Sequence, residues 1–171
     1  MLIWIELIIL FPLIGALING FFGNRLKVMA GIIGTLAVGL SWLLSLMVLY
    51  EVKVGGVTLN ENLYVWIAAG NFKATVGFLV DPLSALMIGM VTTISFFIHI
   101  YSFGYMQGDR GFARFYSYLN LFVFSMLLLV LANNYLLMFV GWEGVGICSY
   151  LLIGFWYDRD SASDAGKKAF I

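Results

Sequence analysis

Long apolar runs alternate with short polar ones along this chain. Five of the runs reach the roughly 20 apolar residues that a helix needs to cross a bilayer. They fall at about 2–22, 28–49, 82–105, 115–131 and 134–156. The second carries no charged residue. The third opens on Asp81-Pro82, an N-cap acceptor followed by proline at the first helical position. Asn133 is the expected cap of the fifth. The last residues, "DAGKKAFI", read as the start of a sixth helix with no stop signal, so the chain is expected to be a piece of something longer. Between the second and third runs lies "NLYVWIAAGNFKATVGFLVD". Its β-branched and aromatic residues flank Gly70-Asn71, which suggests a short β-hairpin, with an irregular loop as the alternative.

Composition turns this pattern into a class. Of the 171 residues, 63% are hydrophobic and 11% charged, with a mean hydropathy of +1.01. Soluble domains carry about 25% charged residues. The expected fold is therefore an all-α integral membrane protein with five transmembrane helices and the start of a sixth. The nine basic and nine acidic residues cancel, which leaves no electrostatic footprint for nucleic acid. One cysteine, Cys148, excludes a disulfide within the chain, and one histidine argues against an internal haem or zinc site. No glycine-rich nucleotide motif occurs. The start, "MLIWIELIIL", lacks the basic region of a cleavable signal, so it counts as part of the first span.

Charge also sets the expected direction of the spans. Arg25 and Lys27 follow the first span, Arg110 and Arg114 the third, and Arg159, Lys167 and Lys168 the fifth. Only Lys53 and Lys73 lie on the opposite side. The positive-inside rule then puts the seven in the cytoplasm and the N-terminus outside.

The candidate chemistry centres on Glu143. It is nine residues into the fifth span, about 13–14 Å from the outer edge at 1.5 Å per residue. That is near the midplane of a hydrocarbon core about 30 Å thick. Insertion of a carboxylate there costs roughly 2.5–3.5 kcal/mol, so the site calls for a partner, water or protonation, and a proton relay is the first reading. Gly146 shares its face at i+3, with Leu136, Phe139, Ile147 and Tyr150. Gly141 and Gly144 read as packing residues. No Lys or Arg reaches midplane depth in any span, so within the chain only Thr92 and Thr93, at similar depth on the third span, offer Glu143 a hydrogen bond. His99 and Asn120 lie at similar depth toward the inner side. They read as a polar pair leading to the cytoplasm or, for His99, as a ring satisfied by a backbone carbonyl. Cys148 reads as a packing residue.

The strings "GFLVDPLSALM", "HIYSFGYM", "GWEGVGICSYLLIGFW" and "DAGKKAFI" resemble one family of membrane subunits. It contains the L subunit of bacterial NADH–quinone oxidoreductase (respiratory complex I), chain 5 of the mitochondrial enzyme and the F chain of the chloroplast-type complex. It is similar to the large subunit of multisubunit Na⁺/H⁺ antiporters. The resemblance is close over 81–171 and looser before. It implies an N-terminal part, residues 1–171, of a proton-translocating subunit. Such a subunit has no redox centre of its own. NAD, FMN, iron–sulfur clusters and quinone belong to partner subunits, and the neighbours are other membrane-arm subunits and the lipid bilayer of a bacterial inner membrane. It also implies that Glu143 is the family's glutamate on the fifth helix, paired with a lysine on a later helix. His99 would be the family's histidine on the third. The later helices are absent from this sequence. The alternatives are a subunit of a Na⁺/H⁺ antiporter and a truncated, non-catalytic membrane piece.

Overall fold

A computed structural model describes residues 1–70 and 72–170. The apolar runs become α1 (Leu2–Leu26), α2 (Met29–Gly55), α3 (Pro82–Tyr105), α4 (Phe112–Leu131) and α5 (Tyr135–Ile153). A short α6 (Asp160–Phe170) follows. Each of α1 to α5 contains a stretch long and apolar enough to cross a membrane. The protein is an integral membrane protein.

The helix limits differ from the apolar runs where polar residues still favour helix. Helix α2 continues past the expected end through Glu51 and Lys53 to Gly55, and Gly56 ends it in the left-handed conformation at φ 62°. Glycine takes that conformation without a Cβ penalty. Helix α4 starts three residues earlier than expected, at Phe112, and α5 stops three residues sooner, at Ile153. At α3 the expected cap is a full capping box: Asp81 Oδ1 accepts from the Ser84 amide at 2.7 Å, and Ser84 Oγ accepts from the Asp81 amide at 2.8 Å. These bonds hold the Asp81 carboxyl below its ordinary range.

Strands β1 (Leu59–Ala69) and β2 (Phe72–Val80) form the antiparallel hairpin. Gly70 enters the turn at φ 58°, and Asn71 lies outside the described residues. The hairpin is anchored through β2. Ala74, Phe78 and Val80 are buried, whereas every residue of β1 from Asn60 onward is exposed. The base is clipped to the α4–α5 link by Asn133, whose side chain donates to Asn60 and Asn62 at 3.2 and 2.8 Å. A Cβ on Gly77 would fall 2.5 Å from the Asn133 amide, so this junction needs glycine.

Helix α4 is the centre of the bundle and touches α1, α2, α3 and α5. The core runs along it through Val123, Leu127, Leu128 and Leu131, against Ile5, Ile8, Val38, Val48 and Ile88. Pro12 stands inside α1 and has no amide to donate to Ile8. Ser41 Oγ of α2 donates to the Ile8 carbonyl instead. In an apolar medium a freed carbonyl must find such a donor.

Candidate functional site

Helix α5 carries Glu143, and its position follows from how the helix is set. Its N-cap is Asn134, whose Oδ1 accepts from the Leu137 amide at 3.1 Å and whose Nδ2 donates to the Thr75 carbonyl at 2.7 Å. The expected cap, Asn133, is instead spent on the hairpin, because its side chain meets Asn60 and Asn62 first. From Tyr135, Glu143 is eight residues along, or about 12 Å. It therefore stands at mid-depth, as expected.

The bundle covers only one side of α5. Gly141 and Gly144 face α4: a Cβ on Gly141 would come within 2.6 Å of the Leu129 amide, and one on Gly144 within 2.6 Å of Ser125 Oγ. Both are packing glycines that let α5 lie close on α4. Glu143 points the other way. Its side chain is exposed, beside Phe139 and Trp142, which are 57% and 66% exposed. A Cβ on Gly146 would meet nothing within 4 Å. The residues described here thus do not bury Glu143. No hydrogen bond or ion pair joins it to another described residue; the one ion pair among them is Lys167–Asp164 at 3.2 Å.

Thr92 and Thr93 do not reach Glu143. Both are turned toward α2. Thr92 Oγ1 lies 2.6 Å from Ser45 Oγ and donates to the Ile88 carbonyl at 2.7 Å. Thr93 Oγ1 accepts from Trp42 Nε1 at 2.8 Å and donates to the Gly89 carbonyl at 2.6 Å. Depth along two helices had suggested a contact that their rotation about the bundle axis forbids. Cys148 is buried.

His99 and Asn120 are fully buried in a second polar region. They are not bonded to each other. His99 Nδ1 is 2.8 Å from the Ser95 carbonyl, so it carries the proton there. Asn120 Nδ2 donates to the Tyr116 carbonyl at 2.8 Å. Tyr116 joins the two: its hydroxyl donates to the His99 carbonyl at 2.7 Å, and its ring lies edge-on to the imidazole at 5.7 Å. Asn19 of α1 is buried next to them. Sequence reasoning missed Asn19 and Tyr116. One signal was available on α3: Thr92, Ser95, His99 and Ser102 recur at i+3 and i+4, and all four are buried.

At the far end from the hairpin, Asp109 ties the α3–α4 loop to the end of α5. Its carboxylate accepts from Trp156 Nε1 at 2.9 Å and from the Gly111 amide at 2.6 Å. The Trp156 bond above all holds its carboxyl below the ordinary range. Arg114 lies over the Phe155 ring at 4.8 Å. Among the described residues no group of three or more His, Cys, Asp or Glu side chains is placed to hold a metal.

Comparison with known proteins places this architecture. Residues 66–116 match the family described as NADH-ubiquinone oxidoreductase (complex I), chain 5 N-terminus, and residues 132–171 match the family described as NADH:quinone oxidoreductase/Mrp antiporter, TM. Together the two matches cover just over half of the chain. The chain is 49% identical over 166 residues to NADH-quinone oxidoreductase subunit L of Rickettsia bellii, covering 96% of this chain and 26% of that protein. The chain belongs to the complex I subunit L/chain 5 family. The subunit L of Neisseria meningitidis (serogroup A) is 45% identical over 168 residues, covering 96% of this chain and 25% of that protein. The NADH-ubiquinone oxidoreductase chain 5 of Hypocrea jecorina is 42% identical over 165 residues, covering 96% and 24%. The chain thus spans about a quarter of the length of these relatives. A subunit of the membrane-bound sulfane sulfur reductase, an archaeal respiratory membrane complex, has the same fold, with a TM-score of 0.78 at 18% identity over 96% of this chain and 33% of that one. The expected recognition and the all-α membrane fold both stand.

Proposed function

We propose that residues 1–171 act as the N-terminal part of a proton-translocating membrane subunit of an NADH–quinone oxidoreductase, with Glu143 as the proton-carrying group. The single observation behind this is the place of Glu143: mid-depth on α5, on the face that the chain leaves uncovered, with no partner among the described residues. A carboxylate at that depth is costly unless something satisfies or protonates it. The open face is where another helix or subunit supplies a cation. A cation within about 4–6 Å favours the charged form, and its withdrawal favours the protonated one. Such a pair takes up and expels one proton per cycle.

The electron-transfer groups, NAD, FMN, iron–sulfur clusters and quinone, are assigned to partner subunits, as is the oxidoreductase reaction itself. His99 is a second relay candidate on the covered side. Asn120 supports it, Thr92 and Thr93 brace α3 against α2, and Gly146 leaves room beside Glu143. The antiporter reading draws support from the second family description, which names the Mrp antiporter as well. The names of the similar relatives above favour complex I.

The test is Glu143→Gln in the complete protein within its membrane complex. Coupled proton translocation should collapse while assembly survives, and Glu143→Asp should keep part of it. Unimpaired pumping by the glutamine variant removes Glu143 from the mechanism. Quinone-dependent NADH oxidation that co-purifies with the chain separates complex I from an antiporter.

The orientation proposed here is hairpin outside and basic loops in the cytoplasm, in a bacterial inner membrane. Cysteines placed at Glu61 and Gln107, both exposed, should label from opposite sides, Glu61→Cys from outside. Labelling from one side only defeats the arrangement.

A further inference from the structure

The inner halves of α1 to α4 converge on one point. His99 is six residues from the end of α3, Asn19 seven from the end of α1, Thr35 six from the start of α2 and Asn120 eight from the start of α4. At 1.5 Å per residue all four stand about 9–12 Å from the inner ends of their helices. Gly34 packs against the nitrogen side of the two asparagines. A Cβ there would lie 2.6 Å from Asn120 Nδ2, 2.9 Å from Tyr116 Cδ1 and 3.1 Å from Asn19 Nδ2. Asn120 Oδ1 turns toward Gly15, where a Cβ would lie 2.7 Å from it. Thr35 faces the Tyr116 hydroxyl, and the Tyr116 ring meets His99.

The amide nitrogens of this cluster are satisfied. Asn19 Nδ2 donates to the Ala30 carbonyl at 2.9 Å, and Asn120 Nδ2 to the Tyr116 carbonyl. The atoms left over are of one kind. Asn19 Oδ1, Asn120 Oδ1 and His99 Nε2 are buried and find no protein partner. With the Nδ1 proton turned to Ser95, neutral His99 presents a lone pair at Nε2. All three are therefore pure acceptors. Buried acceptors without donors are rare in native proteins because each forfeits its solvation.

We infer that this cluster is a water site: one or more ordered water molecules, held between α1, α2, α3 and α4, donate to Asn19 Oδ1, Asn120 Oδ1 and His99 Nε2. Water fits because it brings two donors and no net charge. A bare metal cation does not, since no carboxylate is found among the buried polar residues described. Buried waters are typically held by about three such groups. The site lies on a different side of α4 from α5 and Glu143, and it is complete within this chain. It holds water about two helical turns from the helix ends and sets it against the free lone pair of the one histidine.

The inference goes beyond the proposed role of Glu143, and its readout is bound water rather than transport. In the assembled complex containing the complete subunit, a map sharp enough to show ordered water should hold density within hydrogen-bond distance of His99 Nε2 and both asparagine oxygens. Infrared difference spectra in H₂¹⁶O and H₂¹⁸O should contain an O–H band that shifts with the isotope. That band should be lost in Asn120→Leu and altered in Asn19→Leu, which removes one of the three acceptors. Direct Asn19–Asn120 or Asn120–His99 bonds in the map, with no density between them, overturn the proposal. So does a peak with contacts shorter than hydrogen bonds, which marks a cation. An isotope-sensitive band unchanged in Asn19→Leu overturns it even if Asn120→Leu fails to assemble.

Discussion

His99 and Glu143 are both polar side chains in apolar helices, and the bundle treats them in opposite ways. His99 is wholly covered, and its helix turns a buried polar stripe toward α2 and α4. Glu143 sits on the uncovered face of α5, whose apolar stretch is only 17% buried, against 39% for α1 and α4. The difference is one of position in the packing order. Helix α4 has neighbours on several sides, whereas α5 rests on α4 along two glycines and, among the described residues, packs otherwise mainly on α6 and β2. The environment of His99 is therefore set by this chain, and that of Glu143 by whatever lies beyond it.

The largest effect should come from the uncovered group. Glu143→Gln in the complete complex should cut coupled proton translocation by roughly tenfold or more, the scale of a lost proton-transfer group. Proton flux per electron pair is the measurement. An equal loss in His99→Phe, at normal assembly, would erase the distinction between the two regions.

Next comes a test of the two faces of α5. Gly141→Leu forces a side chain against the Leu129 backbone, which cannot rotate away. Overpacking of this kind costs typically about 1–3 kcal/mol. Gly146→Ala enters open space and should change the chain's own stability by no more than about 0.5 kcal/mol. Unfolding of the two variants in detergent reads the contrast. If Gly146→Ala harms the assembled complex alone, a partner covers that face.

A smaller effect sharpens the covered side. Tyr116→Phe removes the donor to the His99 carbonyl and should destabilise the bundle by about 1 kcal/mol, measured by the same unfolding.

An effect of similar size belongs to the watery ends. Asp81 sits below its ordinary carboxyl range because the Ser84 amide and hydroxyl favour its charged form. The folded value being the lower one, the cap's contribution is present above the ordinary value of 3.8 and is lost as pH falls through the folded value. Asp81→Ala should lower stability by about 1 kcal/mol at neutral pH and flatten that acid dependence, as a thermal melt against pH will show.

Much of this was legible beforehand. Five spans, the α3 cap and the hairpin follow from period, length and turn chemistry, which are properties of neighbouring residues. The depth of Glu143 is a count along one helix. What failed was azimuth. Thr92 and Thr93 share the depth of Glu143 but face α2, and Asn133 lost the cap of α5 to Asn134 because the hairpin claimed its side chain. The His99–Asn120 pair proved to be two groups joined through Tyr116.

Sequence alone thus determined that the chain crosses a membrane, where each helix begins to within a few residues, and which residues are candidates for chemistry. Apolar length and local capping decide those, and both are written in consecutive positions. Only the tertiary structure decided which side of each helix is covered. In an apolar solvent, hydropathy is nearly equal all round a spanning helix, so it does not say which face meets another helix and which meets lipid. Close approaches at glycines and the few available hydrogen bonds choose, and they depend on residues far apart in the chain: Gly141 against Leu129, Ser41 on the carbonyl that Pro12 leaves free, Tyr116 on His99.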